Sequence, residues 1–311
     1  MNPPSHKCSR VSISPPFMSP MVDGVLDGRS CADSIMFDLA KEVSELAELG
    51  VYPHLAVVIV GDDAASHIYV NAKESACARL GIKSSKFALP ESATMVEMES
   101  LINELNEDID IDGILVQSPL PAWLDEIALT EKILPSKDVD GFHPVNLGKL
   151  VQGRVDGLLP CTPHGVMKLL EWAEVELTGE RAVIVGRSRI VGMPQALMLS
   201  RKGADATVTL AHSRTEDLAN LCRSADILIA AVGKPEFIKP DWVKEGSVVV
   251  DVGVNRVTDE NLAKGYRLTG DVHPAAADSA RLISPVPGGV GPMTIAMLMT
   301  NAVFIAKNRK L

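Results

Sequence analysis

The sequence predicts an α/β protein in which two α/β domains flank a cleft. The second is expected to be a doubly wound, Rossmann-like parallel sheet, with the C-terminal helix returning to the first domain. Three observations carry this. Short apolar runs rich in β-branched residues, typical of strands covered on both faces, alternate with helical patterns along the 311 residues. The stretch from Arg181 to Arg214 has the order strand, tight turn, helix, strand and polar loop, which is a βαβ unit. Between the halves, Leu134 to Gly157 is crowded with Gly, Pro and Asp, and irregular stretches of that length are usually functional.

Taken in order, MNPPSHKCSRVSISPPFMSPM has basic residues, serines and prolines but no acidic residue, so it is not a secretory signal. Residues 1–22 are expected to be a flexible extension rather than an organelle-transit helix, because proline opposes helix, and Met21 is a possible alternative start. Ser30 to Leu49 places Ile35, Leu39, Val43 and Leu46 at helical spacing before Gly50. A buried strand is expected over Leu55 to Val60, then a turn with N-cap candidates and a helix running to Leu80, closed by Gly81. Ile82 to Ala88 predicts a strand, Thr94 to Asn106 a helix, and Gly113 to Gln117 another buried strand ending in SPLP. None of these strand-to-helix turns is a glycine-rich phosphate loop, so the first domain should hold something other than a nucleotide.

Past the irregular stretch, Thr162 to Glu171 predicts a linking helix. Ala182 to Val185 is a strand that Gly186 ends, and Gly192, Met193 and Pro194 open a helix, since proline costs nothing in a first turn. A second buried strand is expected over Ala206 to Leu210, then two more over Asp226 to Ala231 and Val248 to Val252. A turn that aims helix N-terminal amides outward favours a nucleotide phosphate, although GRSRIVG departs from GxGxxG and an ordinary βα turn would share these features. The chain closes with a Pro/Gly loop and a helix from about Met293 to Ala306, apolar almost all round and so buried, most simply against the first domain.

Composition narrows the function. A net charge of -10 argues against a general nucleic-acid binder. No apolar run approaches the roughly 20 residues of a membrane span, which predicts a soluble protein. Five scattered cysteines without CxxC spacing fit neither a disulfide framework nor zinc, and point to a reducing compartment. The histidines form no HExxH or paired spacing, no GxxxxGK[ST] loop predicts ATP chemistry, and no GxSxG elbow supports a serine triad. No metal is expected.

Candidate chemistry is modest in the residues alone. Tyr69 and Lys73, four apart, share a helix face. A lysine there commonly snorkels to solvent, but one drawn into a desolvated cleft becomes a usable acid or base. Gln117 ends its strand where side chains of an open sheet face a crevice, and its amide could hold a lysine amine. Asp138 and Asp140 are ordinary turn-formers beside Gly141, unless one of them binds paired N–H donors of a heterocycle.

Together, YVNAK (69–73), GILVQSPLP (113–121), KDVDGFHPVNLGKL (137–150), PCTPHG (160–165), VGRSRIVGMP (185–194), DVGVN (251–255) and PVPGGVGPMT (285–294) resemble one family. It is the bifunctional methylenetetrahydrofolate dehydrogenase/methenyltetrahydrofolate cyclohydrolase family. The resemblance runs from about Asp23 to the C-terminus in the family's order and spacing. It implies NADP-linked oxidation of 5,10-methylenetetrahydrofolate to the 5,10-methenyl cation and hydrolysis of that cation to 10-formyltetrahydrofolate, in one-carbon metabolism and purine biosynthesis. It implies Lys73 as acid/base, Gln117 as its partner, Tyr69 as a positioning ring and Asp140 as the anchor of the pterin amino group. The folate site would include Val70, Asn71 and Ala72 with them, Val116 and Ser118, and the loop Pro285, Val286, Pro287, Gly288, Gly289, Val290, Gly291 and Pro292. Gly186, Arg187, Ser188, Ser213, Arg214 and Val254 would hold NADP. Ser118 departs from the VQLPLP usual in the family and alters one wall of the folate pocket.

By the same resemblance the folate-binding catalytic domain comprises 23–160 and 286–311, the NADP-binding domain 161–285, and the protein is a cytoplasmic homodimer joined through the cofactor domain. NADP over NAD has support in the residues. The second strand of the βαβ unit ends in His212, Ser213 and Arg214, with no carboxylate before Glu216 where an NAD enzyme usually binds the ribose 2′-OH. Two other readings fit the layout: a folate or nucleotide sensor without turnover, and another two-domain NADP enzyme such as a shikimate-type dehydrogenase.

Overall fold

A computed structural model describes residues 24–154, 156–262 and 264–309. The expected extension, residues 1–22, lies outside the described residues. The first α/β unit runs α1 (Gly28–Glu48), β1 (His54–Val60), α2 (Ala64–Leu80), β2 (Lys83–Leu89), α3 (Met95–Glu107), β3 (Gly113–Val116) and α4 (Glu126–Lys132). Its three strands pair in parallel in the order β2-β1-β3. All seven residues of β1 are buried. Leu55, Val57 and Ile59 pack with α1 and α2, while Ala56, Val58 and Val60 pack with α3 and α4. Local signals set the helix ends: Asp27 and Asp63 cap α1 and α2, a Thr94/Glu97 capping box starts α3, and Gly81, at φ 77°, ends α2.

Then follow α5 (Pro144–Val151) and α6 (Cys161–Trp172), and the second unit: β4 (Arg181–Val185), α7 (Gly192–Ser200), β5 (Thr207–Ala211), α8 (Leu218–Arg223), β6 (Ile227–Ala230), β7 (Val248–Asp251), β8 (Asn255–Thr258), β9 (Tyr266–Thr269) and β10 (Leu282–Ile283). The order β10-β7-β6-β4-β5 is parallel throughout, so the chain leaves β4 first to one side and then to the other. That reversal puts a ligand crevice beyond the carboxyl ends of β4 and β6.

The irregular stretch is not wholly irregular. α5 lies inside it, started by His143 accepting from the Val145 N–H with Pro144 in the first turn. Gly148 in mid-helix and the eight-residue length hid its period. The short α4 and the antiparallel β8–β9 pair also escaped the sequence pattern, being too short for periodicity to speak. The second strand of the βαβ unit, expected to be buried, is the outer strand β5, with Thr207 and Thr209 exposed.

The chain ends in α9 (Val290–Arg309), which packs on α1, α2 and α6. The expectation that no stretch reaches membrane-spanning length is corrected here: α9 is long and apolar enough by length and composition. Its Met293, Ala296, Met297, Met299 and Val303 are instead buried in a core continuous from β1 through α9 and α6 to β4. At its head, a Cβ on Gly28 would lie 1.8 Å from the Gly289 carbonyl oxygen, so α1 and the loop before α9 touch backbone to backbone.

Candidate active site

Lys73 lies on α2, half-buried, and its Nζ donates to Gln117 Oε1 at 3.0 Å. Gln117 is buried at the exit of β3, where its N–H donates to Val58 O and its Nε2 to Ser118 O at 2.5 Å. Its amide is thereby oriented with the oxygen toward the lysine. Tyr69, one turn before Lys73, is 47% exposed and available to a ligand. Val70, between them in sequence, points the other way and is fully buried in the core, while Asn71 is exposed and Ala72 half-buried.

The two aspartates of KDVDG divide. The segment 137–139 runs beside β3, with a bridge between Ile114 and Asp138. Asp138 is buried and accepts from the N–H groups of Gly141 and His143 and from Asn146 Nδ2, so it is the turn-former. Asp140 has no side-chain hydrogen bond among the described residues and lines a cavity with Ile114, Val116, Ser118, Glu126 and Phe142. Burial pushes its carboxyl up to about 6; Lys73 pulls the other way, and Asp138 and Glu126 add to the rise. Its backbone is fixed from α9: Asn301 Nδ2 donates to Val139 O at 2.8 Å and Leu159 O at 2.9 Å, and the Cys161 N–H donates to Asp140 O.

The loop before α9 mixes functions. Gly288 has φ 115°, which glycine permits, and Gly289 is needed because a Cβ would lie 2.7 Å from Pro285 O. This close approach is between protein segments; only Gly291 faces open space. Pro287 is exposed, Pro285, Val286 and Pro292 are half-buried, and Val290 is a core residue.

On the other side of the cleft, Gly186 ends β4 at φ 121°, with a would-be Cβ 2.1 Å from Ala231 O, so the exits of β4 and β6 are in contact. Ser188 Oγ accepts from the N–H groups of Val191 and Gly192 and shapes the turn into α7. Arg187, Ser188, Ser213, Arg214 and Val254 are all exposed around this crevice. Arg187 and Ser188 in the turn before α7, with Ser213 and Arg214 just past β5, offer cations and hydroxyls that fit the anionic groups of NADP.

One link spans the cleft that no local pattern announced. Arg189, in the turn after β4, donates to Glu126 Oε1 at 2.6 Å, and Ser118 Oγ donates to the same oxygen at 2.8 Å. Partly exposed, the ion pair is worth about 1 kcal/mol or less, but it ties the turn after β4 to the wall formed by Ser118 and Glu126. Asn301 did leave a signal, as an amide in the middle of a largely apolar helix.

Comparison with known proteins bears on the family and the fold. The family model for the tetrahydrofolate dehydrogenase/cyclohydrolase catalytic domain matches residues 26–140, and that for its NAD(P)-binding domain matches 160–310. The chain belongs to this family. A bifunctional protein FolD 2 from Geobacter sulfurreducens is 52% identical over 284 residues, 91% of this chain and 96% of the relative. Among solved structures, the bifunctional FolD of Campylobacter jejuni superposes with a TM-score of 0.87 at 48% identity, covering 92% of this chain and 99% of the other. The Trypanosoma brucei FolD, crystallised with NADP and an inhibitor, does so with 0.87 at 39%, covering 93% and 99%. As a family member the chain oxidises 5,10-methylenetetrahydrofolate with NADP and hydrolyses the 5,10-methenyl product to 10-formyltetrahydrofolate. The shikimate-type alternative is set aside.

The raised Asp140 carboxyl has a sign that can be checked. Its folded value, about 6, lies above the unfolded value of roughly 3.9, so its contribution to stability is fully present below about pH 4 and lost as pH rises through 6. Asp140→Asn, which cannot ionise, should be more stable than the parent at pH 8 by about 3 kcal/mol, the gap closing toward pH 4. Urea denaturation at both pH values measures this, and a gap independent of pH would contradict it.

Proposed function

We propose that both reactions share one cleft and divide its residues between them, with the Lys73–Gln117 hydrogen bond as the observation that carries the assignment. NADP, when bound, supplies the hydride acceptor for the first step. For that step the protein orients and excludes water: Tyr69 packs on the folate, and Asp140 accepts from the pterin amino group and an adjacent ring N–H. Hydrolysis needs proton handling. Lys73, as the amine, takes a proton from the water that adds to the methenyl carbon and returns it to the ring nitrogen as the C–N bond breaks, while the hydroxyl proton left on the adduct goes to solvent and its oxygen becomes the formyl C=O. Gln117 Oε1 holds the amine throughout, whether or not it carries the extra proton, because a carbonyl oxygen accepts from either form.

In this reading residues 24–160 and 286–309 act as the folate-binding domain and 161–285 as the NADP-binding domain. The packing of α9 on α1 and α2 supports returning the C-terminal helix to the first. The cofactor groups are Gly186, Arg187, Ser188, Ser213, Arg214 and Val254, with the arginines meeting the 2′-phosphate. The loop 285–292 and Ser118 line the folate side. The product serves as a formyl donor in purine biosynthesis. A cytoplasmic setting, without nucleic-acid or membrane partners, accords with the net charge of -10 and with four buried free thiols among the described residues.

Lys73→Met should lower cyclohydrolase turnover by about 100-fold to 10,000-fold while folate binding persists, because only proton transfer is removed. Parental hydrolysis by the variant would remove Lys73 from the mechanism. The dimer is argued from β5, an outer strand paired only with β4, whose other edge a second copy would cover. Sedimentation at micromolar concentration should give twice the 311-residue mass, and a monomer would refute it.

A further inference from the structure

Beneath the cofactor crevice lie two aspartates, Asp251 at the end of β7 and Asp271 just past β9, respectively 4% and 0% exposed. Asp271 Oδ2 accepts from the N–H groups of Val232 at 2.6 Å and Gly233 at 2.9 Å. Its Oδ1 accepts from the Lys234 N–H and from Asn255 Nδ2, both at 2.9 Å. Asp251 holds Asp271 in turn. Its Oδ1 accepts from the N–H groups of Asp271 at 2.8 Å and Gly253 at 3.0 Å, and its Oδ2 from Val272 at 2.8 Å.

Three successive amides turned toward one point form a nest, a backbone shape that elsewhere binds phosphate or other anions. Here the nest is filled from within by a side chain. The segment it shapes, Val232–Lys234, leaves β6 next to the exit of β4, and so forms one wall of the crevice at the point where strand order reverses. The packing leaves no slack: a Cβ on Gly253 would lie 2.2 Å from Asp271 Oδ1, and one on Gly270 would lie 1.8 Å from Asp251 Oδ2. The network also reaches the folate side, because the Asp251 N–H donates to Ser284 Oγ at 2.8 Å, immediately before the loop that begins at Pro285.

We propose that Asp271, braced by Asp251, is a positioning residue for the cofactor: it sets the Val232–Lys234 wall against which NADP lies, without touching it. The proposal rests on the reading of this crevice as the NADP site. It also assigns the phosphates to the turn before α7, since the amides after β6 are already engaged. A neutral amide in place of the carboxylate would present its own N–H to amides that need an acceptor, and the wall would shift.

The test uses the two activities as each other's control, because hydrolysis of 5,10-methenyltetrahydrofolate consumes no NADP. In Asp271→Asn, KM for NADP should rise about tenfold or more, with kcat changed less, while the cyclohydrolase rate stays within about twofold of the parent. Asn255→Ala removes one of the four donors on Asp271 and should raise KM for NADP in the same direction by less. Direct titration with NADP should show the same ranking in Kd. A parental KM and Kd for NADP in Asp271→Asn would overturn the proposal. So would a parallel loss of both activities in both variants, which marks a general structural role. If the parent itself fails to bind NADP, the cofactor reading falls instead.

Discussion

The burial of α9 is the constraint on which the rest of the molecule depends. A helix as apolar as α9 is stable only if neighbours cover most of it, and in its middle turns only Phe304 stays exposed. The cover comes from α1 and α2 of the first unit and from α6, which leads into the second. The last segment of the chain therefore joins two sheets that make no ladder with each other. Deleting a single large side chain from such a core typically costs about 2–5 kcal/mol, so the relative placement of the two units is set by packing and not by the thin ion pair across the cleft.

The site inherits its geometry from that packing. The loop that precedes α9 is pressed against the start of α1, with glycine at both contact points because nothing larger fits. Further along, the buried amide in mid-helix, Asn301, reaches the carbonyls of Val139 and Leu159 and so fixes the segment that presents Asp140. From the opposite side, β3 delivers Gln117 and α2 delivers Lys73, which meet at 3.0 Å, near enough to Asp140 for the lysine charge to act on its carboxyl. The buried Asp271 does for the segment Val232–Lys234 what Asn301 does for the segment before Asp140. In each case a buried polar side chain is spent on backbone groups, which gives position rather than chemistry.

Much of this was legible in the sequence, for definable reasons. The strands β1, β3, β4, β6 and β7 were visible because burial on both faces leaves continuous apolar runs. Lys73 and Tyr69 were paired by helical spacing, and Gln117 was placed by standing at a strand end. Other features have no local signal. Whether Asp138 or Asp140 shapes the turn depends on the donors from Gly141, His143 and Asn146, a matter of three-dimensional proximity. The Arg189–Glu126 pair joins residues 63 apart, and the Asp271 network gathers amides from loops 37 to 39 residues away. Val70 shows the converse: a motif named it with its neighbours, but helical geometry turns it into the core.

The claim that α9 sets the folate site through a single amide is tested most directly by Asn301→Leu, which keeps the volume of the side chain and removes its two backbone contacts. Folate KM should rise about tenfold or more in both the dehydrogenase and the cyclohydrolase assay while Kd for NADP stays at the parental value, since leaving two buried carbonyls without their donor costs about 1–3 kcal/mol each. A parental KM for folate in both assays would show that Asp140 is held independently of α9, and would contradict the account.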